Sequence, residues 1–179
     1  MQPDPLFTLT GALCTAVILA SAATHKVRAP ARFSAQLQAY QLLPSALLRP
    51  IARGLPWLEL ALAFALLLPV SRTGAAWAAA TLLALYAAAM AINLWRGRKD
   101  IDCGCAGPHQ RQPIRPLLLI RNGLLVAVAL LAAWQPEARA LGLFDAFVVL
   151  AASAVALLIY AAADGLLANS PGLLKLIGR

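Results

Sequence analysis

Two thiols one residue apart are the side chains best suited to chemistry: Cys103 and Cys105, separated by Gly104. A disulfide between them needs a backbone turn that brings the Cα atoms together, and the intervening glycine permits it. The small ring so closed is strained, and strained disulfides are the ones that exchange with other thiols. Arg98, Lys99 and Arg111 favour a thiolate here, whereas Asp100 and Asp102 oppose it. Three chemistries stand open: thiol–disulfide exchange, capture of a soft metal ion by Cys103, Cys105 and His109, or an inert pair that only shapes the loop. A closed zinc site needs about four ligands, and only His25, His109, Cys14, Cys103 and Cys105 offer imidazole or thiol. Cys14 stands alone in an apolar run, where a cysteine packs as a small apolar side chain. A role for it as a third relay thiol requires the Cys103–Cys105 loop to dip into the membrane.

The elements that position these thiols follow from composition. Of 179 residues, 61% are hydrophobic and 12% charged, and the mean hydropathy is +0.76. So little polar surface cannot cover a globule in water, and lipid must be the main solvent. A soluble enzyme, a disordered chain and a disulfide-dense secreted scaffold are excluded. The net charge of +8 lies scattered among apolar runs, which speaks against nucleic acid as a partner. Five apolar runs, about 6–24, 55–70, 74–95, 117–134 and 142–163, predict an all-α, polytopic transmembrane helical bundle forming one integral domain over 1–179. The first is read as a retained helix, not a cleaved signal, because no basic residue precedes it. Pro30 starts and Pro44 stops an expected amphipathic interfacial helix over about 30–43, with Arg28 and Arg32 towards lipid headgroups.

Positive charge orients the bundle. The segments following spans one and three and the C-terminal tail hold Lys26, Arg28, Arg32, Arg49, Arg53, Arg96, Arg98, Lys99, Arg111, Arg115, Lys175 and Arg179. The opposite side receives Arg72 and Arg139. The bias predicts a multi-pass membrane protein with its N-terminus outside and its cysteine loop and C-terminus cytoplasmic. Five spans put His25, Lys26, Glu59, Asn93, Arg121, Asn122 and Asp164 at similar depth beneath that loop. Charges in lipid are costly and pair, so Glu59 and Arg121 are expected to form an ion pair joined by Asn93 and Asn122. Such a network either pins the bundle or serves the dithiol as a proton or quinone-headgroup site.

The ordered series resembles the MauE family of methylamine-utilisation membrane proteins. The resemblance is carried by His25-Lys26, Tyr40-Gln41-Leu42-Leu43-Pro44, Pro56-Trp57-Leu58-Glu59-Leu60, Ala91-Ile92-Asn93-Leu94-Trp95-Arg96-Gly97-Arg98, Asp102-Cys103-Gly104-Cys105-Ala106-Gly107 and Arg121-Asn122. It spans roughly 10–165 and departs from the family at Ala106, where an aromatic residue is usual. The resemblance implies a four-helix DoxX-like core plus one further span. It also implies a role in maturing the disulfide-rich small subunit of methylamine dehydrogenase with a periplasmic thioredoxin-like partner. It makes Cys103 and Cys105 the redox pair and Glu59, Asn93, Arg121 and Asn122 supporting residues. No cofactor is required. The resemblance implies a bacterial inner-membrane protein in which a cytoplasmic thioredoxin reduces the pair and electrons are relayed outward, or the loop folds into the bundle and exchanges electrons with quinone at the membrane edge. A small soft-metal transporter or a non-catalytic scaffold is the competing class.

Overall fold

The computed structural model describes residues 3–103 and 112–176, with side chains through Asn169. Six helices follow in order: α1 (Pro5–Arg28), α2 (Pro30–Ala39), α3 (Ser45–Leu67), α4 (Arg72–Trp95), α5 (Pro116–Ala133) and α6 (Leu143–Leu176). All but α2 are long and apolar enough to span a membrane, so the five expected spans are present. Proline opens α1, α2 and α5, where its missing N–H costs no hydrogen bond.

Two boundaries depart from expectation. The second span starts at Ser45 rather than near Leu55, with Pro50 and Pro56 inside the helix. Each proline removes one backbone bond but leaves the rest of the ladder, and apolar helices tolerate this where neighbours pack against them. Trp57 lies within α3 and is turned outward. The last helix continues past Ala163 to Leu176. The interfacial helix ends at Ala39, short of the proline at 44.

A four-helix core forms where α1 meets α3 and α5, and α4 meets α3 and α5. Its buried faces are dominated by alanine, including Ala12, Ala16, Ala76, Ala79, Ala129 and Ala132. With no hydrophobic drive between helices in lipid, such small residues matter because they let backbones approach and gain dispersion contacts. Gly11 shows the limit: a Cβ there would lie 3.0 Å from the Val128 carbonyl oxygen of α5. Helix α6 is the further span. It packs on α1, and only 11% of its most apolar stretch is buried, so most of its surface is left to lipid.

At the end of the bundle remote from the cysteines, Asp4 caps α1 by accepting from the Leu6 amide at 2.9 Å. Arg139 donates to Asp4 at 3.0 Å and to Asp145 at 2.8 Å, clamping the α5–α6 connection to the N-terminus of α1. The Arg139 hydrogen bond, then the Leu6 amide, holds the Asp4 carboxyl below its ordinary 3.8. A depressed acid pKa gives stability that is present above the unfolded value and lost as pH falls through the folded one. Arg139→Gln is therefore expected to speed amide exchange in the first turn of α1 at neutral pH. Wild type and variant should converge once the pH drops well below 3.8; hydrogen-exchange mass spectrometry checks both.

Candidate functional site

The cysteine loop is folded against the bundle. The Cys103 amide donates to the Gln112 carbonyl at 2.8 Å, and the Ile114 amide to the Ile101 carbonyl at 3.0 Å. These bonds form a single bridge between Asp102 and Pro113 that closes the loop at its base; no longer strand occurs among the described residues. Asp102 is the latch. Its carboxylate accepts from Arg32 at 3.0 Å, from Gln36 at 2.9 Å and from the Gln112 amide at 3.2 Å. The Tyr40 hydroxyl donates to the Cys103 carbonyl at 3.2 Å. Arg32 thus engages the loop rather than a headgroup, and α2 covers this end of the bundle. The negative charge at Asp102 that would oppose a thiolate is engaged in the same way.

Cys103 is buried, with 7% of its surface exposed. Arg121 on α5 donates through Nη2 to Cys103 Sγ at 3.6 Å. Its Nη1 makes an ion pair with Asp164 of α6 and reaches Gln112 Oε1 at 3.5 Å. Gln112, fully buried, donates in turn to Asp164 at 3.3 Å. The Tyr160 ring, one turn before Asp164, lies 6.0 Å from the guanidinium. A cation is therefore fixed beside a sulfur by a carboxylate, an amide and an aromatic face.

A second buried pair sits alongside. Lys26 of α1 forms an ion pair with Glu59 of α3, and the Tyr86 hydroxyl of α4 donates to the same carboxylate oxygen at 2.7 Å. The Lys26 ammonium also lies 5.3 Å from the Phe33 ring centre and 5.0 Å from that of Tyr86. Glu59 is completely buried, and its Oε2 has no hydrogen-bond partner among the described residues. Both pairs line one chamber of about 440 Å³, which also meets His25, Asn122 and Tyr160. The chamber carries two cations and two anions within a span of membrane, an arrangement able to hold water and pass protons between fixed charges.

The expected Glu59–Arg121 ion pair does not form. Glu59 takes Lys26, and Arg121 takes Asp164. Asn93 joins neither: its amide donates to the Ala89 carbonyl, and its oxygen accepts from Arg98 at 3.3 Å, near where Arg98 holds the end of α2. Asn122 donates to the Leu118 carbonyl of its own helix and only lines the chamber. His25 faces Ser21 at 3.5 Å on the chamber wall. Cys14 is buried with its thiol directed to the Ser153 carbonyl of α6 at 3.9 Å. Twelve residues before Lys26, it lies about 18 Å further along α1, so the structure does not bring it to Cys103. Cys105 and His109 lie outside the described residues. No group of three metal-ligating side chains occurs among those described.

Tyr86, Gln112 and Tyr160 escaped the sequence reading. Tyr86 precedes Asn93 by seven residues and Tyr160 precedes Asp164 by four, spacings that put each pair on one helix face. Gln112 has no such signal; its place depends on the closed loop.

The family profile described as Methylamine utilisation protein MauE matches residues 4–135. A methylamine utilization protein MauE from Methylophilus methylotrophus is 39% identical over 166 residues, covering 92% of this chain and 87% of the relative. The namesake from Methylorubrum extorquens is 41% identical over 161 residues, covering 89% and 87%. That from Paracoccus denitrificans is 38% identical over 165 residues, covering 92% and 88%. No solved structure gives a significant match. Matched through the first four spans and across nine-tenths of its length by such relatives, the chain belongs to the MauE family.

Proposed function

We propose that this multi-pass membrane protein carries out thiol–disulfide exchange through Cys103 and Cys105. In this reading it supports the maturation of a disulfide-rich periplasmic client such as the small subunit of methylamine dehydrogenase, together with a thioredoxin-like partner. The observation that supports it is the Arg121 guanidinium at 3.6 Å from Cys103 Sγ. A cation held beside a sulfur stabilises the negative charge that develops there when the thiol attacks, or leaves, a disulfide. The inner membrane is its site. The balance of Lys and Arg favours an outside N-terminus with the cysteine loop on the cytoplasmic face, so a conformational change or a partner cysteine must carry the exchange across the membrane to the periplasmic client.

Equilibration of the purified protein in graded thiol–disulfide buffers, followed by alkylation, tests the reading. Cys103 and Cys105 are expected to gain and lose label together at one potential. Cys103→Ser should abolish that transition and, in cells, the maturation of the client. Two cysteines that stay reduced throughout, while the protein takes up one equivalent of a soft metal ion, would replace exchange with metal handling.

A further inference from the structure

A second cavity, of about 310 Å³, is lined by Cys103 together with Lys26, Phe33, Leu55, Leu82 and Met90. It lies between α2, α3 and α4, and Lys26 and Tyr86 line it as well as the polar chamber. Its size is near the lower end of the range of small-molecule sites, roughly 300–1,000 Å³. The walls are almost wholly apolar, and Leu85, 61% exposed on the lipid-facing surface, forms part of them. A molecule entering here comes from the bilayer. Among the lining side chains it meets a buried sulfur and an ammonium set between two aromatic rings.

We infer that this cavity binds the head of a lipid-soluble quinone, which takes up the electrons of the Cys103–Cys105 dithiol. The inference rests on the thiol–disulfide reading above. An oxidant for a dithiol must accept two electrons and two protons. The cavity is lined by Cys103 and reaches the lipid-facing surface at Leu85, so it brings a membrane-borne oxidant to the sulfur. In the step, two S–H bonds break and one S–S bond forms. Two electrons and two protons pass to the two carbonyl oxygens, giving the hydroquinone. The Lys26 ammonium donates a hydrogen bond to one of those oxygens and steadies the negative charge growing on it. Phe33 and Tyr86, already stacked about that ammonium, supply flat faces for the ring.

The test uses the reduced full-length protein in detergent with a decyl-substituted benzoquinone, and separately with a soluble aromatic disulfide. The expected result is oxidation by both, with one quinone consumed per protein. Ala89→Trp, which fills the cavity, should raise the quinone KM about tenfold or more. Leu124→Trp on the lipid face of α5 should leave it unchanged. Oxidation by the disulfide but not by the quinone overturns the quinone site and leaves the exchange reading standing; reaction with neither overturns both. Photolabelling of the unmutated protein by an azido-benzoquinone gives an answer independent of any variant's folding. Label on α2, α3 or α4 residues lining the cavity supports the site. Label found only elsewhere, or displaced equally well by a saturated fatty acid, overturns it.

Discussion

Arg121→Met is expected to slow attack by Cys103 about 10–100-fold, the equivalent of losing one charge-assisted hydrogen bond of ~1.5–3 kcal/mol. The same change leaves Asp164 without its cation. Breaking a buried ion pair costs ~3–5 kcal/mol, and the lower end applies because Asp164 keeps 20% of its side chain exposed. The two effects separate in a double variant. Arg121→Met with Asp164→Leu removes both charges, so thermal unfolding in detergent should return close to wild type. The alkylation rate of Cys103 should stay slow, since nothing restores a donor to its sulfur. If the double variant recovers both stability and rate, Arg121 only holds helices together and the support it gives to the exchange reading disappears.

Depth in the membrane was legible in the sequence; rotation about each helix axis was not. Apolar runs gave five spans because a membrane helix must be apolar for its whole length. The rarity of charges then placed Lys26, Glu59 and Arg121 at a common level. Which of them meet depends on which helix faces neighbour one another, and a nearly all-apolar helix hides its buried face from any count of hydrophobic residues. The sequence reading therefore matched Glu59 with the nearest obvious cation in depth, Arg121, whereas α1 packing on α3 delivers Lys26 instead. The start of α3 was hidden by Pro50 and Pro56, which locally resemble a break. The end of α6 was hidden by Asp164 and Gly165, which resemble a stop but sit on a helix that runs on. The closeness of Cys103 to Arg121 was the least readable feature. It requires Asp102 to be held by Arg32, seventy positions earlier in the chain.

The second large effect is expected at Lys26 and Glu59, whose side chains are 7% and 0% exposed. Lys26→Met leaves a carboxylate buried among helices with, among the described residues, only the Tyr86 hydroxyl to stabilise it, and should cost ~3–5 kcal/mol. Lys26→Met combined with Glu59→Leu removes both charges and should unfold within about 1 kcal/mol of wild type, measured by thermal unfolding in detergent. Glu59→Gln behaves differently. The amide keeps the volume and an oxygen that can accept from Lys26 and Tyr86, so its melting temperature should fall less than that of Lys26→Met. What it cannot do is take up a proton at Oε2, the oxygen on the chamber wall that has no partner among the described residues. If protons leaving the dithiol travel through the chamber, Glu59→Gln should lower turnover about 100-fold, the size expected for loss of a general base. Alkylation of Cys103, which needs no proton relay, should continue at the wild-type rate. A pair that merely fastens α1 to α3 gives the opposite pattern: Lys26→Met melts early, while the folded Glu59→Gln protein turns over as fast as the parent.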